Sequence, residues 1–340
     1  MSSSVKEIED TRKFRSLWGD VWVQFRSHKG AMAGMIVFGI ILFGVTIGPY
    51  LWTTDPQYLD IRAKNTATIL NCFLTGDQIF QCFSDPESIK YFDPNAENLT
   101  RVKLSWSYPL GTDQLGRDQL AQLMQGGRVS MAVGLAAMLL SLVVGTVAGV
   151  LAGYFRRLDG PLMRLTDLFL ALPLLPLLLV IIMLFRDTLR GLFGPETGIF
   201  LLIVFVIGIT SWMQTARIVR GDVLALKERE FILAAGSIGT PSKRIISRHI
   251  MPNILSPIMV SATLGIATAI ITESALSFLG LGFPSDFPTW GRLLFDGTTY
   301  ISQSPARVIW PGLAISLTVL SVNFIGDGLR DALDPRIRGR

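Results

Sequence analysis

The residue types that could do chemistry are few and scattered. The chain has 340 residues, with two histidines, His28 and His249, and two cysteines, Cys72 and Cys82. Neither histidine lies near a cysteine or a carboxylate cluster, so a zinc or iron site is not expected. Neither has an evident acid to orient it, so no Ser/His/Asp relay offers itself. Nothing matches GxxxxGK[ST], and the glycines of FLGLGFPSDFPTWG do not follow a strand, so no loop is placed to cradle a phosphate. No catalytic residue, metal or cofactor is expected, and a chain without an ATP-binding loop cannot hydrolyse ATP alone. One acid stands out: Glu273 follows 23 uncharged residues. Ionisable groups near lipid face a cavity or a partner, so two readings stay open, a pathway wall or a helix-end carboxylate at the outer interface. Pro173 and Pro176 kink an apolar helix and free backbone carbonyls, making a hinge or cavity lining, although proline is also common in membrane helices. Asp167 reads as a charge at a helix N-terminus. Asp327 and Asp331, four apart, read as a solvated helical face.

The elements that carry these residues belong to a membrane. Half of the chain is hydrophobic, 17% is charged and the mean hydropathy is +0.46, against about 25% charged in soluble domains. Crossing about 30 Å of hydrocarbon takes roughly 20 helical residues. Six charge-free runs approach or exceed that length: Gly30–Thr54, Val129–Phe155, Leu168–Phe185, Thr197–Ala216, Ile250–Thr272 and Val308–Gly326. The fold expected is an all-α membrane protein with six transmembrane helices. The first 30 residues are charged and have no cleavage-site pattern, so the first span is expected to be retained.

Charge sets the orientation. With the N-terminus inside, the inner segments 1–30, 156–167, 217–249 and 327–340 carry a net +8, and the outer segments 55–128, 186–196 and 274–307 carry −2. Basic residues collect on the cytoplasmic side, so both termini are expected there. The pI near 9.4 is then a loop property, and no nucleic-acid partner is expected. Between Arg12 and Lys29, Phe14, Leu17, Trp18, Val21, Trp22 and Phe25 recur at helical spacing, giving a helix that either lies in the bilayer interface or packs on the bundle. Cys72 and Cys82 share the long outer loop, where a local disulfide and two free buried thiols are the alternatives.

The most informative segment is LKEREFILAAGSIGTPSKRIISRHIMPN, Leu226 to Asn253. Glu228–Ser237 has good helix formers. Gly239 can take the left-handed conformation that ends a helix, and Pro241 can begin the next. Ile245, Ile246 and Ile250 fall opposite Lys243, Arg244 and Arg248, and Pro252 is expected to break this second helix just before span five. Small residues at Ala234, Ala235 and Gly236 allow close entry into a partner's cleft. This segment resembles the cytoplasmic EAA loop of ABC-importer permeases, E-A-A-x3-G-x9-I-x-L-P. Ala234, Ala235, Gly239 and Pro252 fall on its Ala, Ala, Gly and Pro, while Leu233 replaces the Glu, His249 the Ile and Met251 the Leu. These departures resemble the peptide and nickel branch. LGTDQLGRD (Leu110–Asp118), GGRVSMAVG (Gly126–Gly134), MRLTDLFLALPLLPLLL, ESALSFLGLG and GDGLRDALDPR (Gly326–Arg336) resemble the same branch in order.

The resemblance is to the dipeptide, oligopeptide and nickel ABC-importer permeases, second-subunit type. It implies a type I permease fold: a cytoplasmic interfacial helix in 1–30, a first span at 31–54, an extracytoplasmic loop at 55–128, a transmembrane type-1 domain at 129–331 and a tail at 332–340. It implies coupling to ATPases through the loop 226–252, with Glu228, Glu230, Ala234, Ala235, Gly236, Gly239, Arg244, His249 and Pro252 as the residues involved. It further implies a homologous second permease, two cytoplasmic ABC ATPase subunits, an extracytoplasmic solute-binding protein and a prokaryotic inner-membrane location. ATPase closure would tilt spans four and five as a rigid-body switch. The rival is a self-sufficient secondary carrier or channel, which calls for an intramembrane ion site or inverted repeats; neither is evident.

Overall fold

The computed structural model describes residues 17–74, 79–86, 91–92, 101–102, 104–284, 286–302 and 304–333. Arg12, Phe14, Arg15 and residues 334–340 of the expected tail lie outside the described residues. The chain begins with α1 (Leu17–Ser27), α2 (Lys29–Thr46) and the short α3 (Gly48–Leu51). An outer segment follows, with 3-10 turns at Ile61–Ala63 and Ile69–Leu74, α4 (Ile79–Ser84) and an antiparallel pair β1 (Tyr91–Phe92) and β2 (Arg101–Val102), Tyr91 opposite Val102. Then come α5 (Gln119–Tyr154), α6 (Arg156–Ala171), α7 (Leu174–Phe193), α8 (Pro195–Lys227), α9 (Glu230–Ser237), α10 (Ser242–Ile245), α11 (Met251–Phe278), α12 (Trp290–Thr298) and α13 (Ala306–Leu333).

Apolar runs in lipid form helices because only the helix satisfies its own backbone. Among the described residues, α2, α5, α8, the run Ser242–Phe278 and α13 are long and apolar enough to cross a bilayer. The pair α6–α7 is long and apolar enough only when the two helices are taken together, and it is bent by 90° at the break between them. The spans alternate in direction, so α1, α6, α9 and the end of α13 lie at one end of the bundle, with the outer segment and α12 at the other.

The third span differs from its expected limits. The apolar run Leu168–Phe185 is not one helix: α6 ends at Ala171, Pro173 caps α7, and α7 runs from Leu174 to Phe193. Proline pushes the preceding Leu172 into extended backbone, ψ 137°, and so ends the helix instead of kinking it. Pro176 sits in the first turn of α7, where its missing N–H has no helical partner to lose, so it makes no kink either. Asp167 is in the last turns of α6, not at an N-terminus, and pairs with Arg217 of α8. A second ion pair, Arg220 Nη2 to Asp159 Oδ2 at 2.7 Å, also ties α6 to α8.

Pro252 does not break its helix. Helix α10 passes into a π turn at Ile246–Ile250, then into α11 without interruption. A proline ring clashes with the carbonyl four residues back. The π turn, with Met251 N–H bonded to Ile246 O, widens the backbone ahead of Pro252 and takes up that clash.

The core lies among α5, α7, α8 and α11, where Val133, Leu178, Ile203 and Leu276 are fully buried. Contact between α5 and α8 is backbone-close. A Cβ at Gly145 would sit 2.6 Å from Trp212 O, and one at Gly149 2.6 Å from Ala216 O. Small residues at every fourth position are how membrane helices gain dispersion contact where lipid supplies no hydrophobic drive. Helix α1 buries Val21 and Phe25 against α2 and α13 while Trp22 stays half exposed. It packs on the bundle and keeps an apolar outer face.

Candidate functional site

The loop between α8 and α11 is built from the core outward. Helix α8 ends at Lys227, whose Nζ donates to Tyr154 O at 3.0 Å and lies over the Tyr154 ring. That fixes the end of α8 to the end of α5. Helix α9 starts after Arg229, with Glu230 in its first turn, where a negative charge meets the positive end of the dipole. Glu228 and Glu230 are both exposed.

One side of α9 is anchored. Ile232 and Ala235 are buried, and Ile232 joins Ile245, Ile250 and Ile254 against Val219 and Val223 of α8. The other side is bare: Phe231 is 46% exposed, Leu233 54% and Ile238 84%. Of the small trio, Ala235 faces the chain's own core, while Ala234 and Gly236 face outward. Arg244 and Pro252 are exposed. His249 is half-buried, 6.5 Å from the Phe231 ring.

Gly239 has φ +79°. The Gly239 N–H bonds to Gly236 O and the Thr240 N–H to Ala235 O at 3.1 Å, the paired bonds of a Schellman cap. A Cβ at Gly239 would meet nothing within 4 Å, so backbone conformation and not space selects glycine. Pro241 has φ −66° and caps α10, which starts one residue later than expected.

In the middle of the bundle a hollow is walled by α5, α8 and α11. Ser141, Ser211, Gln214, Thr215, Ser261 and Thr268 line it, and Thr215 and Ser261 share a hydrogen bond at 2.9 Å. Polar side chains inside a membrane bundle face cavities. Sequence reasoning missed this wall because single hydroxyls do not interrupt an apolar run. Of the pathway candidates, Pro173 and Pro176 shape the start of α7, and Glu273 is fully buried. Ser277 Oγ donates to Glu273 Oε1 at 2.7 Å. Here α11 meets α12: Trp290 N–H bonds to Ser130 Oγ, and its indole N–H to Leu123 O at 2.9 Å. Glu273 is enclosed within the chain, in neither of the two surroundings left open by the sequence.

The outer segment is held by long-range polar contacts. Cys72 and Cys82 are joined, with Cα atoms 5.5 Å apart, beside buried Ile69 and Leu104. Asp118 caps α5, accepting from Leu120 N–H at 2.9 Å and from the Trp52 indole. Burial raises its pKa against those hydrogen bonds. The Tyr108 hydroxyl donates to Asp60 Oδ2 at 3.0 Å. That bond holds the Asp60 carboxyl below its usual range. Burial first, then Asp60, pushes the Tyr108 phenol up to about 12.

Apolar crossings, a polar-walled hollow among three of them and an anchored loop helix with bare apolar knobs define the membrane subunit of a transporter. The family profile described as binding-protein-dependent transport system inner membrane component matches residues 119–339, and the N-terminal TM domain of oligopeptide transport permease C matches 16–67. The oligopeptide transport system permease protein OppC of Bacillus subtilis is 35% identical over 96% of this chain and 92% of its own. The dipeptide transport system permease protein DppC of Alkalihalophilus pseudofirmus is 34% identical over 97% and 93%. A putative peptide permease protein of Brucella suis is 37% identical over 92% and 89%. The chain belongs to the family of binding-protein-dependent transport system inner membrane components. It is a multi-pass inner-membrane permease subunit of an ABC importer, not itself an enzyme, and serves a system with ATPase and solute-binding components.

Proposed function

We infer that this chain forms half of the translocation pathway of a peptide importer and transmits the ATPase stroke to it. Peptides are the solute class named for its relatives in Bacillus, Alkalihalophilus and Brucella. The partners in this reading are a homologous second permease, two cytoplasmic ATPase subunits and an extracytoplasmic binding protein. Both termini and the loop 226–252 face the cytoplasm, and the segment 55–128 faces the oxidising outer side. The coupling residues are Glu228, Glu230, Ala234, Gly236, Gly239 and Arg244, to which Phe231, Leu233 and Ile238 are added. His249 and Pro252 set the base of α11.

The single observation that carries this reading is the two-sidedness of α9. Its inner side is fixed to α8 and α11 through Ile232, and its outer side leaves Leu233 more than half exposed and Phe231 nearly so, with His249 beside the Phe231 ring. A push on α9 therefore moves α8 and α11, which wall the polar hollow. The test is capture of the ATPase subunits by Gly239→Val, measured beside peptide uptake. Normal membrane insertion with weakened capture and lost uptake is expected. Assembly and uptake equal to those of the parent protein overturn the transmission role.

A further inference from the structure

At the outer end of the bundle a second, small hollow opens between the loop 112–119, α12 and the start of α13. Its charges do not balance locally. Asp113 is answered by Arg117, Nε to Oδ2 at 2.7 Å, and by the N–H groups of Leu115 and Arg117. Asp296 is answered by Arg292, Nη2 to Oδ1 at 3.0 Å. Arg307 has no such partner. It is 6% exposed, and its guanidinium donates only to neutral oxygens: Gln114 Oε1 at 3.2 Å, Asn65 Oδ1 at 2.6 Å and Thr112 O at 3.1 Å. Its flat face lies 4.9 Å from the Tyr300 ring centre.

Two donors in this hollow are unanswered among the described residues. Arg307 Nε and Trp310 Nε1 are buried, have no acceptor and belong to side chains that line it. The residues are three apart on α13 and so share a helical face. Buried N–H groups are almost always bonded, and a buried charge calls for a counter-charge. What is missing is an acceptor, and beside a guanidinium that makes no ion pair of its own an anion supplies it best. Asp113 and Asp296 line the same space and disfavour a dianion, which leaves a monoanion.

We propose that this hollow binds the carboxylate of a small solute, with Arg307 supplying the charge and Arg307 Nε–H and Trp310 Nε1–H the open donors. It is a second solute contact, outside the mid-bundle hollow, and a peptide C-terminus is the ligand chemistry that fits it. The assignment of the solute rests on the peptide-importer reading above. Binding is measured without transport, so failure here leaves that reading to its own test of ATPase capture and uptake.

The experiment is equilibrium binding to the full chain in lipid nanodiscs, with trialanine, trialaninamide, acetate and inorganic phosphate as probes. Trialanine should bind more tightly than trialaninamide by on the order of tenfold, the value of a hydrogen bond to a charged group. Acetate should displace it and phosphate should not. Arg307→Gln should weaken trialanine by a similar factor, and Trp310→Phe by a few-fold, with helix content unchanged. If Arg307→Gln does not fold, the Trp310→Phe variant and the trialanine to trialaninamide ratio decide. Equal binding of trialanine and its amide, displacement by phosphate as readily as by acetate, or no binding because water alone fills the hollow overturns the proposal.

Discussion

At the scale of single residues, Gly239 makes the sharpest demand. Its φ of +79° is strained for a β-branched side chain by about 1–3 kcal/mol. With open space around it, Gly239→Val acts through the backbone alone and should misplace α9 without disturbing the spans. Gly236→Ala is the matched contrast. It sits in regular helix with nothing within 4 Å of an added Cβ, so α9 should gain about 0.5–1 kcal/mol. Any loss of ATPase capture in that variant then reports a partner that comes close to Gly236. The Cys72–Cys82 link closes a short ring. Its removal by Cys82→Ser should lower the stability of the outer segment by about 2–4 kcal/mol, read as faster hydrogen exchange around Ile69 and Leu104. Tyr108 gives a pH signature. Its folded pKa of about 12 lies above the unfolded value of about 10, so its contribution is complete below pH 10 and is lost as pH rises through about 12. Phenolate absorbance should titrate late, and Asp60→Asn should bring it earlier.

At the scale of elements, the division of labour within α9 gives opposed expectations. Ile232→Ala removes a buried side chain that joins α9 to α8, at a cost of about 2–5 kcal/mol, so α9 should undock. Leu233→Ala trims a side chain that is 54% exposed and should leave stability within about 0.5 kcal/mol while weakening ATPase capture. Limited proteolysis of the loop 226–252 beside a pull-down separates the two. Much of this was legible in the sequence. Crossing helices declare themselves because lipid admits only apolar surface, and the loop helix was readable from its helix formers, Gly239 and Pro241. What was not legible depended on direction or on distance along the chain. The run Leu168–Phe185 is apolar on both sides of Pro173, so composition carried no trace of a 90° turn. Pro252 reads as a breaker until the π turn before it is seen. The surroundings of Arg307 come from Asn65, Thr112 and Gln114, far away in sequence, and no local pattern marks them.

At the scale of the whole molecule, the two long helices α8 and α11 join the mid-bundle wall to the loop helix at the end of the bundle. Close packing of α5 on α8 at Gly145 and Gly149, with the ion pairs of Arg217 and Arg220 to α6, ties α8 to its neighbours on two sides. Sidedness is expected from the excess of basic residues in the inner segments. A reporter active only outside the cytoplasm should be silent when fused after Arg340 and active when inserted after Ser84; strong activity at Arg340 reverses the topology. The most direct test of the central claim is site-specific photo-crosslinking in intact membranes that hold the complete transporter. A photoreactive residue is placed at Leu233 or Ile238, with Leu192, exposed at the opposite end of the bundle, as control. The account predicts capture of an ATPase subunit from positions 233 and 238 and none from 192. Capture from 192 alone, or none from 233 and 238 in a complex that still takes up peptide, contradicts it.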